Sequence, residues 1–139
     1  MMKKIIPIIF ILLAFTSCSD DDDNTNPLIG SWKLVKTRNF VYGAADYPNK
    51  ETFTDYSDKN IVYTFDGRSN LTISIDGEKE EHEYEYKLDY LSGGPSSGEP
   101  KTQLVLIDNS KWTYGISDKG EMILGKSYVD GSDLYFVRQ

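Results

Sequence analysis

A single cysteine, Cys18, rules out any disulfide within the chain, and a single histidine, His82, leaves no zinc set of ordinary composition. There is no G-x-S-x-G elbow for a nucleophilic serine and no glycine-rich loop to cradle phosphate. A Ser-His-Asp arrangement would have to run through His82, which reads as a polar residue at a strand start. Basic residues are also few: 15 Lys and Arg stand against 22 Asp and Glu, for a net charge of −7. No basic patch is available to displace counterions, which argues against a nucleic-acid partner. Asp20, Asp22 and Asn24 begin like a calcium loop, but Thr25 and Ser31 occupy the positions that need Gly and Glu. The expectation is no catalytic residues, no metal, no cofactor and no enzyme. The longest apolar run, residues 5–15, is shorter than the roughly 20 residues of a spanning helix and contains Pro7.

That run follows Lys3 and Lys4 and leads into Thr16-Ser17-Cys18, the three-part form of a secretory signal over residues 1–17. A small-residue pair before Cys at the end of an apolar run resembles a bacterial lipobox, with Phe15 where Leu is usual. The resemblance implies cleavage before Cys18 and acylation of that residue, with several chains giving firm anchorage. Ser19, Asp20, Asp21, Asp22 and Asp23 come next, a self-repelling run with nothing apolar to bury. It reads as a solvated spacer. It also resembles the surface-export signal of some Gram-negative outer-membrane lipoproteins, which implies a cell-surface location, with the periplasmic face as the alternative. Residues 18–27 form an acidic tether. Losing Lys3 and Lys4 with the signal takes the net charge from −7 to −9.

Residues 28–139 have one domain's length, ten Tyr in the chain and turn chemistry at short intervals, which points to an all-β fold. Eight strands are predicted at 30–37, 60–65, 71–75, 82–89, 101–107, 111–117, 121–128 and 133–138. Asp66-Gly67, Asp76-Gly77, Asp108-Asn109-Ser110, Asp118-Lys119-Gly120 and Asp130-Gly131 separate them. Short loops imply a meander, and eight meandering strands close into a small antiparallel up-and-down barrel.

Loop parity then selects the inner face. A two-residue turn at 76–77 puts Leu71, Ile73 and Ile75 with Tyr84, Tyr86 and Leu88, and also turns Glu78, Glu80 and His82 inward. Three-residue turns at 108–110 and 118–120 align Leu104, Leu106, Trp112, Tyr114, Ile116, Met122 and Leu124. A two-residue turn at 130–131 aligns Tyr128, Tyr135 and Val137, leaving Leu134, Phe136 and Arg138 outside. A five-residue loop, 66–70, brings in Ile61, Tyr63 and Phe65.

Gly30-Ser31-Trp32 resembles the G-x-W opening strand of the lipocalins, and the chain ends on a strand carrying Arg138. The resemblance implies that Gly30, Trp32 and Arg138 close one end of the barrel, with the Arg packed over the Trp. It implies binding of a small, partly apolar ligand at the open end, under the long 43–59 loop, with Phe53 and Tyr56 as lid residues. Tyr84, Tyr86 and Tyr114 are the inward candidates for contact. Inward tyrosines fit either a semi-polar cavity or wet barrel rims. The competing expectation is a filled barrel serving as a protein-interaction module, an inhibitor or an accessory subunit of a surface complex. The chain is expected to be monomeric.

Overall fold

Alternating apolar and polar residues between Asp- and Gly-bearing turns give nine antiparallel strands in the computed structural model, which describes residues 25–42, 50–95 and 98–139. They are β1 (Gly30–Val41), β2 (Lys50–Asp55), β3 (Ile61–Phe65), β4 (Asn70–Ile75), β5 (Glu78–Asp89), β6 (Thr102–Ile107), β7 (Ser110–Ile116), β8 (Met122–Gly125) and β9 (Asp133–Arg138). Pairing of β1 with β9 closes β1 and β3–β9 into an eight-stranded barrel, and β2 is an extra strand. Closure satisfies the edges of the eight. No helix among the described residues is long and apolar enough to cross a membrane.

The long β1 holds two partners on one side. Its first residues pair with β3, Trp32 opposite Tyr63, and its last six pair with β2, Arg38 opposite Phe53. On its other side the register against β9 shifts between Leu34 and Lys36. This bulge at Val35 changes which residues face in. Trp32 and Leu34 point into the barrel before it, and Thr37 is the buried residue after it. Without the extra residue, alternation would carry Lys36 and Arg38 into the core. With it, both cations lie outside, opposite Tyr135 and Asp133.

The inner face collects Leu28, Trp32, Leu34, Phe65, Leu71, Tyr84, Val105, Met122, Leu124 and Phe136 into one buried cluster. Phe65 packs edge-on to Tyr84 at 4.9 Å, and Tyr63 lies 4.8 Å from Phe136. The five-residue 66–70 loop sets Phe65 opposite Leu71, and the 76–77 turn sets Ile75 opposite Glu78. Both registers are those expected from parity.

Three expectations are corrected. The 108–110 turn holds two residues, Asp108 and Asn109, with Ile107 opposite Ser110. Asp108 takes a positive φ of 51°, which an Asp tolerates in a tight hairpin. Val105 and Ile107 therefore take the inner-face positions expected of Leu104 and Leu106, and Leu104 is fully buried on the opposite face. Second, β8 ends at Gly125 and no hairpin forms at 130–131. A 3-10 turn over Ser127–Val129 intervenes, and Asp130 adopts a left-handed conformation. The extra residues invert the parity of β9: Leu134, Phe136 and Arg138 face in, and Tyr135 and Val137 face out. Tyr128 is exposed. Third, the long 43–59 connection contains β2, because Thr52-Phe53-Thr54 supplies β-branched and aromatic residues next to an edge that β3 leaves open.

Candidate functional site

Antiparallel order sends successive loops to opposite ends. The end where the chain enters β1 is termed the floor; the other, with the 76–77 and 108–109 turns, is the mouth. At the floor, Trp32 is 4% exposed and donates its indole N–H to the Leu28 carbonyl at 2.7 Å. The Arg138 guanidinium lies over the Trp32 ring, 4.4 Å from its centroid, and donates to the carbonyls of Ile29 and Pro27, both at 3.2 Å. Gly30 sits beneath with a φ of +126°, and a Cβ there would meet Arg138 Nη1 at 2.8 Å. The conformation therefore demands glycine, and a Cβ would also push aside the end of the Arg138 side chain. Gly30→Ala is expected to lower stability by about 1–3 kcal/mol, the range for a residue held in a sparsely populated conformation. Urea denaturation reads the change, and a midpoint equal to wild type would contradict this account of Gly30.

Tyr84 belongs to the same floor rather than to the mouth. Its hydroxyl donates to the Asp66 carbonyl at 2.5 Å and accepts from Asn26 Nδ2 at 2.9 Å. Burial raises its pKa, partly offset by the Asn26 bond. β5 runs from mouth to floor, so Tyr86 lies still further from the mouth than Tyr84. Its ring meets Tyr114 edge-on at 5.5 Å. Burial raises the pKa of both, and the Arg138 charge pulls that of Tyr114 back. All three expected ligand tyrosines are thus at the floor, the consequence of a long β5 that passes from β4 to β6 at residues 83–84.

The expected lid residues separate. Phe53 is 56% exposed on the outer wall, its ring 6.3 Å from that of Tyr135. Tyr56 packs against the core, its N–H bonded to the carbonyl of the bulged Val35 at 2.7 Å. Cys18, Ser19, Asp20, Asp21, Asp22 and Asp23, and residues 43–49, lie outside the described residues.

On the mouth side the inward residues turn polar. Ile61, Tyr63 and Ile73 are part-buried, and Glu80 and His82 continue their face. Burial raises the Tyr63 pKa, with the Glu80 charge adding to it. His82 Nδ1 bonds Asp108 Oδ2 at 2.8 Å, and the other Asp108 oxygen accepts the Glu83 N–H at 3.1 Å. His82 Nε2 is buried without a hydrogen bond, 3.6 Å from a Glu80 oxygen. This is a clamp where β5 changes partners, with its second nitrogen closed to solvent. No group of three His, Cys, Asp or Glu side chains suited to a metal ion occurs among the described residues.

The clamp has a pH signature. The hydrogen bond from His82, helped by the Glu83 N–H, holds the Asp108 carboxyl below its usual range. A carboxylate with a depressed folded pKa stabilises the fold above its unfolded value, and that stability is lost as pH falls through the folded value. Stability is therefore expected to fall below about pH 4. Asp108→Asn should flatten this limb in denaturation midpoints measured against pH, and an unchanged limb would show that other carboxylates dominate it.

Outside the barrel, Arg68, Asn70, Glu83, Glu85, Leu106 and Asp108 line a groove of about 380 Å³ over the same β5 transition. Its mixed charges favour no single ligand. Two polar contacts escaped the reading of the sequence: the Asp108–His82 clamp and the Arg38–Asp133 pair, whose oxygen and nitrogen are 2.7 Å apart. Single charges inside apolar strands were the only hint of the second. No protein-family model, curated protein or solved structure matches the chain.

Proposed function

We propose that the mature protein is a lipid-anchored outer-membrane lipoprotein, displayed at the cell surface, whose lipocalin-like barrel binds a small, partly apolar ligand. The observation that carries the ligand reading is the uneven burial of the inner face. A packed waist separates two regions where inward Tyr63, Tyr86, Trp112 and Tyr114 are only part-buried. Part-covered aromatic residues with polar tips suit the lining of a small-molecule site. The signal-like start, the lone Cys18 and the acidic run support the anchorage.

Two measurements test the two halves. A clickable fatty acid should label the wild-type chain, and Cys18→Ala should lose the label; equal labelling would sink the anchor. The chain from residue 18 onward carrying Cys18→Ser should enhance the fluorescence of N-phenyl-1-naphthylamine, a neutral apolar dye, with saturation, or carry a co-purifying small molecule in native mass spectrometry. Neither signal would leave the filled-barrel reading. That second reading, a protein-interaction module, draws on β2, which among the described residues pairs with β1 alone and presents exposed Phe53 on the outer wall.

A further inference from the structure

We infer that the floor of the barrel carries a binding site for an anionic amphiphile, with the anionic head at Arg138 and the alkyl chain over Tyr86, Leu88, Tyr114 and Ile116. The inference rests on the ligand-binding reading and assigns it a place and a chemical class.

Of the four barrel strands that run toward the floor, β3 ends on the buried Phe65, while β5, β7 and β9 carry an open inward residue at or next to their last position. On β5, Leu88 follows Tyr86 on the same face. On β7, Ile116 follows Tyr114 and stands opposite the fully buried Met122. On β9, Arg138 follows Phe136. Leu88 is 61% exposed and Ile116 52%, although both lie on the face that packs the core elsewhere. The Trp32 layer thus seals the barrel above them and leaves these side chains open below. The 90–95 segment does not cover them from within. Leu91 accepts a bond from Lys111 Nζ through its carbonyl, and Lys111 pairs with Leu106 on the outer face.

Charge completes the site. Arg138 is exposed and makes no ion pair among the described residues, in a chain with 22 acidic side chains. Its partners among the described residues are two neutral carbonyls and the Trp32 ring, and a guanidinium has five N–H donors. The Tyr114 hydroxyl lies within the field of this cation. A carboxylate or phosphate monoester would meet a charge-assisted donor there, and its chain would cover the apolar residues that water now touches.

The test uses dodecanoate, dodecyl phosphate and dodecanol below their aggregation limits, with the chain from residue 18 carrying Cys18→Ser, by titration calorimetry. Both anions should bind at one site. Dodecanol should bind at least about tenfold more weakly, the scale of one charged hydrogen bond. Equal binding by dodecanol would overturn the role of Arg138. A preference between the two anions identifies the head as carboxylate or phosphate, and either preference supports the site. Leu88→Glu and Ile116→Glu change exposed residues and should each weaken dodecanoate roughly tenfold. Ile75→Glu, at the exposed inner edge of the mouth, should leave it within about twofold. If Ile75→Glu alone weakens binding, the ligand sits at the mouth: the floor site falls and the ligand function stands. Binding of the neutral dye without either anion has the same meaning, and absence of all binding removes both.

Discussion

Trp32→Ala is expected to cost about 3–5 kcal/mol, the range for truncating a large buried aromatic side chain. The indole is 4% exposed and belongs to the buried cluster that also holds Phe65, Tyr84 and Phe136. Its removal opens a cavity whose walls are strands of a closed barrel, which cannot move inward without breaking register. It also strips the Leu28 carbonyl of its donor and Arg138 of the ring beneath it. The cation–π part is small. Arg138 is exposed, so a double-mutant cycle between Trp32 and Arg138 should return about 1 kcal/mol of coupling. Urea denaturation checks both numbers. A Trp32→Ala midpoint near wild type would mean that the floor layer collapses around the gap, and zero coupling would reduce the Arg–Trp contact to mere proximity.

The floor and the ring of strands were legible because they depend on local signals. Gly30-Ser31-Trp32 marks a close approach of backbone and side chain, and Asp-Gly turns fix where strands end. Where turn length was unambiguous, as at 76–77, the register followed. It failed where a side chain decides the turn. Asp108 can end a two-residue or a three-residue hairpin with equal ease in the sequence; its bonds to His82 and Glu83 select the shorter one. The β8–β9 connection failed for a similar reason, and with it the facing of Arg138. The bulge at Val35 has no local signature at all. It is forced by charge, since Lys36 and Arg38 must leave a face that Trp32 and Leu34 occupy. The positions of Tyr84, Tyr86 and Tyr114 were lost at a larger scale. Strand tilt carries the far half of β5 below the Trp32 layer, and alternation along one strand contains no information about height in the barrel.

Asp133→Ala should be as damaging as loss of the indole, about 3–5 kcal/mol, the range for breaking one half of a buried pair. Asp133 is 1% exposed and all its acceptor capacity is engaged. One oxygen takes the N–H groups of Lys126 and Ser127 at 2.8 and 2.9 Å. The other takes Arg38 Nη2 at 2.7 Å and Nε at 3.2 Å. These four bonds do the work that a tight hairpin would otherwise do. They hold the 126–132 connection against β1 and so fix the inverted parity of β9. Alanine would leave two N–H groups unsatisfied, and among the described residues Arg38 would keep a single ion-pair partner, the exposed Glu51 at 3.5 Å, beside the Phe40 and Tyr135 rings. Asp133→Asn keeps an acceptor for the two N–H groups and removes the charge, so a smaller loss of roughly 1.5–3 kcal/mol is expected. Arg38→Met in the Asp133→Ala background should recover part of the loss, because it removes the cation left without its buried partner. Denaturant titration of the three variants separates the terms. Equal losses for Asp133→Ala and Asp133→Asn would place the whole effect in the ion pair. A loss under about 1 kcal/mol for Asp133→Ala would mean that water replaces the carboxylate and that the connection holds itself.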